Sequence, residues 1–283
     1  MSGRARRRIG RQTQRSQFGD IMDPIGLIGF GGIGQAVVAK LEDEVDGRPN
    51  IAGILVRALD GRAPRLPFVT DLTALLDRRP RVVAECAGHE AVRRYGEAVL
   101  RGGADLIVVS TGALADPALH DRLHRAARYG GCRLILPAGA VGAVDALSAA
   151  RHAGLERVRY RSRKPPRAWK GTPAEDVVEL DALQAPRIIY QGSARQAARL
   201  YPKNSNAAAT VALAGLGFEQ TEVELIADPT VSSNIHEIEA EAASGNLSIS
   251  LAGKPSAANP RTSMLTAYSV VRALLSYDRP VAI

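Results

Sequence analysis

The run Ile25-Gly26-Leu27-Ile28-Gly29-Phe30-Gly31-Gly32-Ile33-Gly34 follows a short apolar segment with glycines at the first, third and sixth positions of a turn. That spacing constrains the fold more than any other feature. Gly29 permits a tight turn, Gly31 lets the backbone approach a pyrophosphate, and Gly34 lets a following helix pack close to the preceding strand. The helix expected over Gln35–Leu41 points its free N–H groups and positive dipole end at the phosphates. A second strand, Ile51–Val56, follows at the distance a dinucleotide fold requires.

Downstream, strand and helix alternate. Strands are expected at Val82–Glu85, Leu106–Ser110 and Arg133–Leu136, and helices at Asp71–Leu76, His89–Leu100 and Pro117–Tyr129. Alternation of this kind implies a Rossmann-type, doubly wound parallel sheet with ligands at the carboxyl ends of its strands. The loops Glu85–His89 and Ser110–Gly112 should then face the ligand, which makes Ala87 and Gly88 candidate contacts. His120 and His124 lie one helical turn apart with no third ligand, and His152 has no constellation, so no metal site is expected.

Composition narrows the class. A chain of 283 residues with 46% apolar but 4% aromatic content has room for two cores built on small-residue contacts. No apolar run approaches the length that spans a bilayer, and a cytoplasmic enzyme without a membrane partner is expected. Cys86 and Cys132 have no metal-ligand spacing and read as small core residues. Of the formal charge of +8, residues 1–21 supply +5 through Arg4, Arg6, Arg7, Arg8, Arg11 and Arg15 against Asp20. Clustered arginines attract phosphates, yet this tail lacks aromatic interleaving and amphipathic period. A disordered extension, or a translation start placed upstream of Met22, explains it without a nucleic-acid partner.

After Leu136 the pattern changes. Pro137–Gly142 connects to a helix over Ala143–His152, and then strands gather at Arg157–Ser162, Arg187–Gln191, Glu222–Ile226, Ile235–Ala243 and Leu247–Ala252. The last two flank a hairpin turn at Ser244-Gly245-Asn246. The expected architecture is α/β: a basic tail at 1–22, a Rossmann domain from 23–139 plus 260–283, and a second α+β domain at 140–259 on a mainly antiparallel sheet. A helix over Ser263–Leu275 returns the chain to the first domain.

Within Ile235–Ala243, the even positions His236, Ile238, Ala240 and Ala242 share one face, while Glu237, Glu239 and Glu241 turn to water. His236 is therefore expected to point inward, as a core histidine satisfied by a carbonyl or as a functional group. Two helix starts are rich in polar residues. Asn259-Pro260-Arg261-Thr262-Ser263 opens the last helix, and Tyr201-Pro202-Lys203-Asn204-Ser205-Asn206 opens one over Ala207–Leu216. Capping explains one polar residue at each; carboxylate binding would use the rest.

These segments, together with Pro137–Leu147, Arg163-Lys164-Pro165, Ala227-Asp228-Pro229 and Asn234-Ile235-His236, resemble the L-aspartate dehydrogenase family from about Ile25 to Ala282. The resemblance implies oxidation of L-aspartate to iminoaspartate, His236 as the catalytic histidine, and dinucleotide contacts at Ala140 and Asn206. It implies a homodimer that the second domain's sheet helps to form. It leaves open whether the imine feeds NAD synthesis or aspartate is being degraded.

That chemistry needs a base for the α-ammonium, met by a histidine with a pKa near neutrality, and donors for two carboxylates. Lys164, Lys203, Arg261, Thr262 and Ser263 are the available donors. The dinucleotide set is Gly29, Gly31, Gly32, Ile33, Gly34, Ala87, Gly88, Ala140, Asn206 and Arg57. Arg57 ends the second strand where NAD-selective folds commonly carry an acid. It either pairs with a 2′-phosphate, so that NADP serves beside NAD, or lies solvated on its loop. A related oxidoreductase acting on homoserine or a cyclic imine, and a non-catalytic dinucleotide sensor, are the competing readings.

Overall fold

The structure is a computed structural model that describes residues 22–45, 49–59, 65–254, 263–277 and 281. The basic tail and the segment Asn259–Thr262 lie outside these residues. The first half contains β1 (Ile25–Ile28), α1 (Gly32–Glu44), β2 (Ile51–Leu55), β3 (Phe68–Val69), α2 (Leu72–Leu76), β4 (Val82–Glu85), α3 (His89–Arg101), β5 (Asp105–Val108), α4 (Pro117–Gly130) and β6 (Leu134–Ile135). The second half contains α5 (Val144–Ala150), β7 (Leu155–Lys164), β8 (Arg187–Ser193), α6 (Ala194–Leu200), α7 (Asn206–Ala214), α8 (Gly217–Gln220), β9 (Thr221–Ala227), β10 (Ile235–Ala242), β11 (Gly245–Ala252) and α9 (Met264–Leu275).

The first sheet is parallel throughout, in the order β3-β2-β1-β4-β5-β6. Its central strands β1 and β4 are buried on both faces and apolar save for Glu85 at the end of β4, as helices on both sides require. The register aligns Ile28 with both Leu55 and Glu85, and Glu85 with Val108. Four strands thus end on one edge, and the loops at Gly29, Val56, Cys86 and Val109 leave it together. The strand order reverses between β1 and β4, where such sheets open a ligand crevice.

The second sheet runs β11-β10-β7-β9-β8, with β7 and β9 parallel and the other pairings antiparallel. Val158, Tyr160, Ser162 and Lys164 of β7 alternate onto the inner face with His236, Ile238 and Ala240 of β10. Arg157, Arg159, Arg161 and Arg163 alternate outward. The carboxylates expected to face water are on that outer face but are ion-paired. Arg161 joins Glu224 and Glu239 at 2.8 Å each, Arg157 reaches Glu222 and Glu241, and Arg163 reaches Asp228 and Glu237. Cross-strand opposition of arginine and glutamate produces this lattice.

Helix α9 returns to the first sheet and packs against α1, sharing a core with Leu27, Val37, Val38, Leu41 and Ile54. Beyond it, the Tyr277 hydroxyl donates to Asp105 at 2.6 Å, and Arg133 donates to the same carboxylate. Burial pushes the Asp105 carboxyl up, and the Tyr277 and Arg133 bonds pull it below the usual range.

Several local expectations need correction. Helix α1 begins at Gly32, so Gly32, Ile33 and Gly34 form its first turn. The hairpin pairs Ala242 with Gly245, and its turn is Ala243-Ser244. Edge strand β3 and the short helices α6 and α8 were not anticipated, being too brief for a periodic pattern. Cys86 and Cys132 are free thiols packed, partly buried, against the margins of the two cores. Among the described residues no helix is long and apolar enough to cross a membrane.

Candidate active site

The glycine turn is shaped by what each missing Cβ would strike. Gly29 has φ +94°, and a Cβ there would lie 2.7 Å from that of Ala87; one at Gly34 would lie 2.4 Å from the Gly29 carbonyl oxygen. Those glycines let strand, helix and the neighbouring loop close together. At Gly31 nothing lies within 4 Å of a Cβ position, so the space above the α1 N-terminus is open. A dinucleotide pyrophosphate fits such an open, N–H-lined turn. Arg57 is exposed just past β2.

The adjoining loops are tied by one carboxylate. Glu85, 1% exposed, accepts from the Ala87 and Gly88 amides at 2.7 Å and from the Ser110 amide and hydroxyl at 3.0 Å. Burial drives its pKa up, and these bonds draw it back. Gly88, held by one of them, has φ +115°, a conformation that favours glycine.

Across the crevice, Asn206 begins α7. Its Oδ1 lies 3.0 Å from the Gly112 amide and 2.8 Å from His89 Nε2, and its carbonyl accepts from Thr111 at 2.7 Å. The Asn206 side chain is therefore turned to the Rossmann loops and does not cap its own helix, whose N-cap is Ser205.

A cavity of about 140 Å³ lies between the sheets, lined by Ile33, Ala140, Asn206, His236, Lys164 and Ser263 among others. His236 is buried, and its Nδ1 is 2.7 Å from the Tyr160 hydroxyl, which leaves Nε2 for a ligand. Burial, and secondly the Lys164 ammonium, pull the imidazole down to about 3, against the near-neutral value expected for a free histidine. Lys164 is itself buried over the Trp169 ring, 5.0 Å from its centroid, and donates to Asn204 Oδ1 at 2.8 Å. Burial lowers its pKa to about 8.

Lys164, Lys203, Asn204, Asn234 and Ser263 also line a second cavity of about 630 Å³. Arg167, Lys170 and Lys254 add to its wall, and among the described residues no aspartate or glutamate lines it. Lys170 pairs with Asp181, but the buried Lys164 ammonium and the exposed Arg167, Lys203 and Lys254 give this wall a positive potential that favours an anionic ligand. Ser263 caps α9 by accepting from the Leu265 amide. Thr262 lies outside the described residues.

Sequence reasoning missed Tyr160, Asn204 and the clamp made by Glu85. Tyr160 had a signal, since it sits two residues from the cross-strand partner of His236 on the same sheet face. Glu85 had one too, as the only charge in an otherwise apolar strand.

A glycine cradle on a doubly wound sheet, opposed by an imidazole and a cationic cavity on a second sheet, defines a dinucleotide-dependent oxidoreductase. A family profile described as aspartate dehydrogenase, C-terminal, matches residues 145–277, and one described as homoserine dehydrogenase, NAD binding domain, matches residues 29–137. The L-aspartate dehydrogenase of Ralstonia pickettii is 47% identical over 92% of this chain and 99% of its own. That of Pseudomonas aeruginosa is 49% identical over the same shares. The crystal structure of aspartate dehydrogenase from Thermotoga maritima, 27% identical, matches with a TM-score of 0.76 over 93% of this chain and 99% of that one. The chain belongs to the L-aspartate dehydrogenase family.

If Glu85 holds both loops, Glu85→Gln places an amide NH2 against N–H donors and leaves some unpaired. Thermal unfolding should show a loss of about 1–3 kcal/mol, and titration with NADH should show affinity weakened about tenfold. Unchanged values for both would remove the clamp from the account.

Proposed function

We propose that the protein oxidises L-aspartate to iminoaspartate with NAD or NADP, the imine then hydrolysing to oxaloacetate and ammonia. The observation that carries this reading is the junction of the two cavities. His236 and Asn206 line one side, and Lys164 and Lys203 open onto a wall of cations on the other. A dicarboxylate with a central amine matches that division.

Bound NAD(P) supplies the hydride acceptor. The open turn at Gly31, with Gly29, Gly32, Ile33 and Gly34, would hold its pyrophosphate, while Ala87, Gly88, Ala140 and Asn206 flank the path toward His236. Arg57 offers a guanidinium for a 2′-phosphate, which supports use of NADP beside NAD. On the chain's side of the chemistry, Lys164, Lys203 and Ser263 orient the two carboxylates. With Nδ1 held by Tyr160, His236 takes the α-ammonium proton on Nε2. Its depressed pKa keeps the ring neutral before substrate arrives, and two substrate carboxylates offset the Lys164 charge and raise its basicity. Once that proton has passed to solvent, the same nitrogen can take a proton from the water that adds to the imine.

The division of labour is mostly by domain: residues 23–139 with 260–283 carry most dinucleotide contacts and residues 140–259 most substrate contacts, with Ala140, Asn206 and Ser263 serving across the boundary. The packing of α9 on α1 supports it. A cytoplasmic homodimer that the second domain's sheet helps to form completes the reading.

The direct test is dinucleotide reduction by purified protein with aspartate, homoserine and cyclic imines, each with NAD and with NADP. Aspartate should be preferred, and His236→Ala should lower its turnover about a hundredfold or more while NADH affinity is kept. Turnover close to the unsubstituted enzyme would return His236 to the core.

Lys164 gives a pH dependence of defined sign. Its ammonium is cationic below about 8 and neutral above. Binding of succinate, a dicarboxylate without the reacting amine, should therefore weaken as pH rises through that value. Lys164→Met should bind succinate poorly and without this dependence; an identical pH profile in the variant would show that Lys164 does not meet the ligand.

A further inference from the structure

We infer that His89 is a positioning residue for the nicotinamide end of the cofactor, acting through Asn206. The Gly112 backbone amide can only donate, so the Asn206 atom it meets at 3.0 Å is the amide oxygen. His89 Nε2, 2.8 Å from that same oxygen, must then carry a hydrogen. The two donors occupy Oδ1 and fix which way the amide faces. Nδ2, which has no protein partner among the described residues, is left as a donor on a residue that lines the His236 cavity. A carboxamide oxygen is the acceptor a nicotinamide ring would present there.

The contact is built rather than incidental. A Cβ on Gly112 would lie 2.8 Å from both Cε1 and Nε2 of His89 and 2.6 Å from the Ser205 hydroxyl, so only glycine admits the ring at this distance. His89 is the first residue of α3, launched from Gly88, whose amide the buried Glu85 holds. Thr111 secures the other side by donating to the Asn206 carbonyl and bonding Thr210 at 3.0 Å. Without His89 the amide keeps one donor from Gly112 and can swing about its terminal torsion, a soft, two-fold rotation. The donor toward the cavity would then be lost for part of the time.

The inference rests on Asn206 being the nicotinamide contact, and the test separates the two. Affinities of the cofactor-free, full-length protein for NADH and for ADP-ribose, which lacks the nicotinamide, would be measured in His89→Phe, His89→Gln, Asn206→Ala and the His89→Phe/Asn206→Ala pair. His89→Phe should weaken NADH about tenfold, the scale of one hydrogen bond, with ADP-ribose unchanged. His89→Gln, which restores an N–H donor, should recover most of the loss, and His89→Phe should cost nothing further once Asn206 is alanine. Equal losses for both ligands, or additive losses in the pair, overturn the inference. Asn206→Ala without effect on NADH overturns it together with the reading of Asn206. Imidazole nitrogen chemical shifts of the unsubstituted, cofactor-free protein provide a check that needs no variant. Hydrogen on Nε2 of His89 is expected, and hydrogen on Nδ1 alone contradicts it.

Discussion

The buried carboxylate of Glu85 is the constraint on which the site depends. A carboxylate removed from water costs several kcal/mol unless donors replace its hydration. Glu85 finds them in the Ala87, Gly88 and Ser110 amides and the Ser110 hydroxyl. These donors belong to the loops leaving β4 and β5, so satisfying one charge fixes both loops. One loop carries Ala87 against Gly29 and starts α3 at His89; the other delivers Thr111 and Gly112 to Asn206. Cofactor crevice and substrate sheet are thereby joined through hydrogen bonds that begin at a single side chain.

The second sheet separates its charges by the pleat. Outward arginines and glutamates of β7, β9 and β10 neutralise one another in cross-strand pairs. Inward, among the described residues, Lys164 has the neutral Asn204 side chain and the Trp169 ring as partners. Its charge is thus left to act on His236 and on any anion entering the larger cavity. Alternation at a period of two residues lets one strand carry a structural lattice on one face and a buried cation on the other.

The dinucleotide half was legible because its constraints are local: a glycine turn, buried apolar strands and their intervening helices all fall within short windows. The inward placement of His236 was legible for the same reason, since alternation alone assigns faces. What escaped was non-local. His89 and Asn206 are 117 residues apart, and nothing in either segment announces the other. The low basicity of His236 follows from burial beside Lys164, which only the register of β7 against β10 creates. The glutamates of β10 were placed on the correct face, but their arginine partners belong to another strand.

The most direct measurement is a crystal structure of the complex with NADH and L-aspartate, a pair that cannot react with each other. The nicotinamide is expected between Ala140, Asn206 and His236, with its C4 about 3.5 Å from the aspartate Cα. The aspartate nitrogen should lie about 3 Å from His236 Nε2, and the carboxylates should lie toward Lys164 and Lys203. Aspartate bound with its nitrogen away from His236, or a nicotinamide outside that cavity, would contradict it.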